Sequence, residues 1–418
     1  MSVLVLHRFP LDPFPYDRWL ADHDGGVVMI AARDCVERGG EQVPEGHGGY
    51  RHLEIVDSFD DDDEDITRRA LALARRHGVT RVIAHHEAEL LRAALLRERL
   101  GLPGPRREDV LPFRDKVLMK RLAAEAGIEV AAHTVPGTAD DVRAFARLHG
   151  LPLVFKARDG FGSIGLRIVR TEEELADHLR REFPAGAAPR EDVLLEAYVP
   201  GRMCHVDGLV AGGRTVLSCP SQYQYDLASY RTDRGARIDL TLDPDDPVAT
   251  RLVALTDRLL RVLGAPADTA FHAEIFHTPD DRLVLCEIAC RPPGGRIRDV
   301  LKAVYEVHPV EYAARAEAGL PLPALDGVPP GALLRPLRMA GQALIMKRPG
   351  EVRAVPRPPS EPYVEFYGVF ARPGQRLGPA EISSDFLAAA VLTGDTRAVC
   401  EERLRAVGRR FEREIVIT

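Results

Sequence analysis

Apolar and polar positions change rhythm several times along the chain, and each change predicts an element. Short apolar runs at 3–6, 27–31, 53–56 and 82–84 alternate with polar stretches, and 66–76 repeats its apolar residues at helical spacing. Strands alternating with helices predict a parallel sheet covered on its faces. Residues 114–126 and 139–149 read as helices, the first ending at Gly127, a residue suited to the left-handed turn that closes a helix. The run Leu151-Pro152-Leu153-Val154-Phe155 ends in Lys156, passes through a glycine-bearing stretch and resumes at 166–169, which predicts strand, loop, strand. After a loop at 184–189, residues 194–199 predict a buried strand closed by Pro200 and Gly201. Runs at 204–210 and 215–219 flank Gly212 and Gly213 as a hairpin, and polar 229–237 reads as a mobile surface loop. Two further apolar strands, 271–276 and 283–288, meet across a turn at Pro279, Asp280 and Asp281. Proline-rich 321–336 marks a boundary, and 397–410 is the last helix; no internal repeat is visible.

Composition narrows the class of protein. With 418 residues, 45% apolar and 28% charged, the chain has the makeup of a soluble globular protein of two or three domains. A net charge of -7 and a pI near 6.1 argue against a dedicated nucleic-acid binder, which needs a basic excess, and favour a small-molecule ligand. No apolar segment approaches the ~20 residues that span a bilayer, and the first residues carry no cationic leader, so a cytoplasmic protein without a membrane partner is expected. Cysteines at 35, 204, 219, 286, 290 and 400 form no CxxC pair and read as free thiols. The acidic run at 60–65 precedes a helix, where the helix dipole favours negative charge, and reads as a solvated first turn rather than a metal site.

Lysine is the most informative residue. Only five occur, at 116, 120, 156, 302 and 347, which leaves 51 arginines of the 56 basic residues. Lys156 stands just before Gly160, Gly162, Ser163 and Gly165. A compact ammonium on a flexible stem, followed by glycines that let backbone N–H groups approach, suits a nucleotide phosphate. The spacing spells GxGxxG, but a strand follows where a dinucleotide fold needs a helix. No GxxxxGK[ST] occurs, the lysine precedes the glycines, and HRD and DFG are absent, which excludes P-loop and protein-kinase readings. A β-hairpin flap over phosphates remains, against the plainer reading of a tight hairpin with an incidental lysine.

The strands 271–276 and 283–288 each carry one glutamate among apolar neighbours, Glu274 and Glu287. Antiparallel pairing would set them side by side, where two carboxylates repel unless a cation lies between them; magnesium takes carboxylate and phosphate oxygens together. The alternative is two half-exposed strand glutamates. Arg291 and Arg296 flank Pro292-Pro293-Gly294-Gly295 and could hold an anionic substrate group through their guanidinium forks. His85-His86-Glu87 follows a strand end, so His86 and Glu87 read either as substrate contacts or as a helix-start cap. Tyr223, Tyr225 and Tyr230, with Arg231 and Arg234, could line an acceptor pocket or simply pack. His272 shares a strand face with Glu274 and reads as a phosphate-positioning group or a satisfied core histidine.

Taken in order, these motifs over about residues 80–315 resemble the ATP-grasp superfamily, and within it the carboxylate-amine ligases acting on amino acids or peptides. Arg114-Asp115-Lys116 resembles the family's opening segment, whose lysine meets ATP phosphate; Lys156 resembles its second-strand lysine and 160–165 its flap, with Gly160, Gly162, Ser163 and Gly165. Glu196, Ala197, Tyr198 and Val199 resemble the hinge strand beside the adenine, Glu274 and Glu287 the metal carboxylates, and Arg291 the arginine of its ExNxR motif. The resemblance implies an α/β and α+β chain with the ATP-grasp fold and an N-terminal parallel-sheet domain. Its divisions would be an N-terminal domain at 1–110, an ATP-grasp region at 111–325 with a lid near 127–200, and a C-terminal region at 326–418 packing on the core. It also implies ATP with magnesium or manganese, small-molecule carboxylate and amine substrates, and room for a homodimer. The implied reaction is ADP-forming amide synthesis through an acylphosphate, with Lys156, Glu287 and Arg291 catalytic. The alternatives are an ATP-binding regulatory module of the same fold and an ATP-dependent carboxylase. Two positions depart from the pattern: Met203 stands where a ribose-binding glutamate is common, which shifts ribose contact toward His205 or Asp207, and Ala289 stands where an asparagine usually completes a metal shell.

Overall fold

A computed structural model describes residues 1–60 and 63–418. A parallel four-stranded sheet opens the chain, in the order His52–Val56, Val27–Ala32, Ser2–His7, Val79–Ala84. Its inner strands are buried along their whole length, so alternation is absent and the apolar runs are continuous. The helices Asp63–His77 and Leu90–Leu100 cover one face. Val310, Ala314 and Ala318, in and just after the helix Pro309–Glu317, seal the other.

The second sheet is small, in the order His133–Thr134, Val193–Ala197, Leu153–Ala157, Arg167–Val169. The helices Ala139–His149 and Glu172–Glu182 back it through Val142, Phe145, Leu175 and Leu179. Thr138 and Thr171 cap these helices by accepting the N–H groups of Asp141 and Glu174, so each starts where the sequence changes from loop to amphipathic repeat.

The third sheet has eight strands, in the order Leu283–Ala289, Thr269–His277, Arg202–Ala211, Arg214–Tyr223, Arg237–Thr241, Met339–Met346, Phe386–Gly394, Val364–Val369. It draws strands from both sides of residue 325. The helices Lys116–Glu125 and Pro247–Val262 pack on one face with Phe271, Ala273 and Ile275, and Arg397–Glu414 covers the same sheet further along. The opposite face is polar over its first strands and meets the helix Ile297–Tyr305 beyond them. At Gly208 a Cβ would come within 2.0 Å of the Leu217 carbonyl oxygen and 2.5 Å of the Phe271 ring, so only glycine fits this strand.

The stretch 229–237 differs from its expectation. It holds the last three residues of the short helix Leu227–Arg231 and the first residue of the strand Arg237–Thr241; Tyr230 and Arg237 are buried. Its polar sequence hid this, because the Tyr230 hydroxyl donates to the Glu381 carbonyl (3.0 Å) and Arg237 donates to the carbonyls of Asp226 and Leu227. Of the acidic run, Asp61 and Asp62 lie outside the described residues, and the helix begins at Asp63. All six cysteines are free and buried. Among the described residues no helix is long and apolar enough to cross a membrane.

Candidate functional site

The small sheet and the eight-stranded sheet face each other across a cleft of about 410 Å³. Asp115 caps the helix Lys116–Glu125 by accepting the N–H groups of Val117 and Leu118 (3.0 and 3.2 Å) and forms a two-pronged pair with Arg158 (2.9 and 2.7 Å). The helix start is thereby tied to the base of the glycine loop. Lys116 projects across this joint, donating to the Gly160 carbonyl, with its ammonium 3.5 Å from Glu287. Lys120, one turn later on the same helix face, donates to the Cys286 carbonyl at 2.9 Å.

Glu196 is the electrostatic centre of the cleft's inner wall. One carboxylate oxygen lies 2.7 Å from Lys120 and the other 2.8 Å from Lys156. Burial alone would raise the Glu196 pKa, but the two ammonium groups outweigh it and bring it down to about 2. Burial alone would lower Lys156, and Cys286, Glu196 and Glu287 together raise it well above the usual lysine range. The thiol of Cys286 is pushed up to about 12 by burial, despite Lys156 at 3.4 Å, so it stands as a neutral wall.

Glu274 and Glu287 are direct partners in the strand register, on the same face and both open to the cleft. Burial raises Glu287, and Lys116 and Lys156 overcome this to leave it below its ordinary value. Two adjacent carboxylates offer hard oxygen donors, a set suited to magnesium. Above them the flap turns through Gly162 and Gly165 at φ +60° and +73°, and Ser163 also has positive φ. A Cβ at Gly162 would meet nothing within 4 Å, so glycine serves the backbone conformation there and leaves space for a phosphate group.

Of the residues singled out in the sequence, Lys116, Lys156, Gly160, Ser163, Glu196, Ala197, Tyr198, Val199, Met203, Glu274 and Glu287 line this one cleft. Gly162 and Gly165 belong to the flap without lining it, and the N–H groups of Ala197 and Tyr198 are already donated to Ala132 and Pro152. Arg291 lies at the rim, bound through Nε and Nη2 to Glu87 (2.9 and 2.7 Å), which also pairs with Arg114. His86 accepts the Ala88 N–H as a cap, yet its ring touches Phe161 of the flap, with centroids 5.3 Å apart. Burial, helped by Arg8 and Arg291, lowers His86 to about 3 and keeps it neutral. Arg296 stands apart, stacked on Phe366 and paired with Asp299 at 3.2 Å.

His205 and Asp207, expected as substitutes for a ribose-binding glutamate, are buried away from the cleft and engaged with each other at 2.5 Å. His205 also meets Asp239 at 2.9 Å, and Gln342 donates to Asp239 at 2.9 Å. Met203 packs on Tyr223 and Cys286 instead. Sequence reasoning noted Lys120 without giving it a role; its rarity as lysine and its four-residue spacing from Lys116 were the available signal. Arg114 was noted only as part of the Arg114-Asp115-Lys116 segment, with no partner assigned, and Phe161 carried no signal because one flap phenylalanine has no periodicity.

Residues 115–207 match the family described as "Carbamoyl-phosphate synthase L chain, ATP binding domain". The chain is 24% identical over 229 residues to the L-arginine-specific L-amino acid ligase of Bacillus subtilis, spanning 54% of each chain. It is 26% identical over 280 residues to the N5-carboxyaminoimidazole ribonucleotide synthase of Mycobacterium tuberculosis, covering 66% of this chain and 62% of that one. The chain thus spans about half to three-fifths of these curated relatives. Its fold is that of an L-amino acid ligase from Bacillus licheniformis, with a TM-score of 0.72 at 17% identity over 100% of this chain and 98% of the other. The biotin carboxylase domain of Hydrogenobacter thermophilus 2-oxoglutarate carboxylase, solved with MgADP, gives 0.70 at 17% identity over 100% and 90%.

Proposed function

We propose that this chain, whose residues 115–207 match an ATP-binding domain family and whose fold is that of an L-amino acid ligase, is an ADP-forming ligase of the ATP-grasp type that joins a small-molecule carboxylate to an amine. The observation that carries this reading is the cross-strand pair Glu274–Glu287, set in one cleft with Lys116, Lys156 and the glycine flap. A substrate carboxylate oxygen attacks the γ-phosphorus of ATP, the bond to ADP breaks, and an acylphosphate forms. The amine then attacks the acyl carbon, the new C–N bond forms, and phosphate leaves as the nitrogen gives up its proton. A magnesium or manganese ion held by Glu274 and Glu287 would offset negative charge on the transferring phosphoryl group.

Lys116 and Lys156 supply positive charge beside the phosphates, and the flap N–H groups cover them and exclude water. Glu87 orients the Arg291 guanidinium, to which this reading gives the incoming carboxylate and the acylphosphate. Phosphoryl transfer rests on positioning and electrostatics, so no side-chain nucleophile is required. The neutral Cys286 thiol fits that role as wall rather than reagent.

The test is incubation with ATP, magnesium and pooled amino acids, other carboxylates and amines, following ADP and phosphate release with mass spectrometry. Release coupled to a new amide mass supports the reading; tight ATP binding with no release from any pool counts against it. The likeness to N5-carboxyaminoimidazole ribonucleotide synthase favours a second reading, an ATP-dependent carboxylase, which would make ADP release depend on bicarbonate.

A further inference from the structure

His272 stands beside the cleft-lining Glu274, two residues before it on the same strand, in a place that the reaction above does not use. It stands opposite Ala289 on one neighbouring strand and opposite Asp207 on the other, one row behind the Glu274–Glu287 pair and on the same face. The small Ala289 side chain offers no donor and leaves that side of the row open. The His272 ring is fixed from behind: Nδ1 lies 2.7 Å from Asp207 Oδ1, and Nε2 points forward, 3.6 Å from Glu274 Oε1.

The support behind Asp207 runs deep. Asp207 meets His205, His205 meets Asp239, and Asp239 accepts from Gln342, a chain from the third to the sixth strand of the sheet. His205, Asp207, Asp239 and Gln342 are each no more than 2% exposed. Burying so many polar and charged groups costs stability unless every one is paired. Here both His205 nitrogens and both Asp207 oxygens are engaged within the chain. His205, Asp207 and His272 place donor atoms within 4.8 Å of one another, but of the three only His272 has a nitrogen facing a carboxylate that lines the cleft, Glu274. A carboxylate behind one imidazole nitrogen, with the other aimed at a carboxylate-lined opening, is the arrangement that orients a metal-binding histidine. Neighbouring ligands of a cation bound at about 2.1 Å stand about 3 Å apart, so the Nε2–Oε1 gap needs only a small contraction.

We propose that His272, held by Asp207, is a third protein donor to the cation of the nucleotide site, beside Glu274 and Glu287 and on the side where Ala289 supplies none. The inference rests on the assignment of that cleft to a metal–nucleotide complex. A nitrogen donor suits manganese better than magnesium, so the site binds manganese with ADP more tightly than magnesium, and His272 accounts for much of that difference.

The intact protein with ADP and Mn²⁺ provides the test, because Mn²⁺ is paramagnetic. Pulsed electron paramagnetic resonance on wild type, natural-abundance and ¹⁵N-histidine-labelled, separates histidine nitrogen from adenine nitrogen and requires no variant to fold. The expected result is a nitrogen coupling that changes with the histidine label. In a Mn²⁺ titration His272→Ala and Asp207→Asn should weaken binding about tenfold or more, with a smaller effect on Mg²⁺ competition. Mn²⁺ bound with ADP and weakened by Glu287→Gln, but with no histidine coupling, overturns the inference and leaves the cleft assignment standing: His272 would then be a cation bonded to Glu274. Failure to bind Mn²⁺ with ADP, or binding indifferent to Glu287→Gln, overturns both.

Discussion

Glu196 carries the heaviest electrostatic duty of any single residue in the cleft, since two buried ammonium groups depend on its charge. Replacing it by glutamine leaves Lys120 and Lys156 without their shared anion, and removing one partner of a buried ion pair costs ~3–5 kcal/mol. The pH dependence follows from its depressed pKa. With a folded value of about 2 against an ordinary 4.5, the carboxylate contributes ~3 kcal/mol of stability above pH ~4.5, lost as pH falls toward 2. Urea midpoints of wild type and Glu196→Gln should therefore differ most near neutrality and converge in acid. Glu287 differs in kind: its side chain is 35% exposed and faces the cleft rather than a packed wall. Glu287→Gln should change stability by less than ~1 kcal/mol while lowering ATP turnover by ~10² or more, measured as ADP release.

Among the elements, two glycines separate a functional demand from a packing one. Gly162 has a left-handed backbone in open space, so Gly162→Val strains only the flap; the Michaelis constant for ATP should rise severalfold with little change in the urea midpoint. Gly208 lies against the Leu217 carbonyl and the Phe271 ring, so Gly208→Ala should cost ~1–3 kcal/mol or more of stability, read from the same denaturation curve. Elements were legible in the sequence wherever burial is local and periodic. The helix Ala139–His149 was read to its ends because Thr138 caps it and Gly150 follows it. The Glu274–Glu287 pairing was legible because a short turn joins the strands and sets their register. The His205–Asp239–Gln342 chain was not, since its members come from strands 34 and 103 residues apart in sequence. The strand start at Arg237 was hidden likewise: its partners are two backbone carbonyls and the Tyr225 ring, which leave no pattern in side-chain polarity.

At the scale of the whole molecule, the cleft is closed by segments far apart along the chain. The Gly162 carbonyl accepts from the Ser383 N–H at 3.3 Å, and the Glu381 carbonyl accepts from Tyr230, so the flap and the short helix Leu227–Arg231 both meet the loop at 381–385. Nucleotide that orders the flap should protect 160–165 and 381–385 together; hydrogen exchange with and without ATP analogue measures this, and protection of the flap alone would show the two to be independent. From the opposite side Glu87, next to the N-terminal sheet, binds Arg114 and Arg291, so the rim is assembled from two sheets at once. This joint was half legible: His86 and Glu87 drew notice at a strand end, and Arg114 and Arg291 within their motifs, but nothing in the spacing of residues 87, 114 and 291 showed that Glu87 pairs with both arginines.

The gathering of Lys116, Lys120 and Lys156 on one wall also changes how the protein meets amine-directed reagents. Those three are buried, and only Lys302, Lys347 and the terminal amine remain outside the cleft. Acylating reagents, which elsewhere scatter over a lysine-rich surface, have few external targets here. An acyl-phosphate derivative of ATP should therefore label this protein at Lys116 or Lys156 almost alone, and peptide mapping with excess ATP as competitor would report occupancy of the cleft.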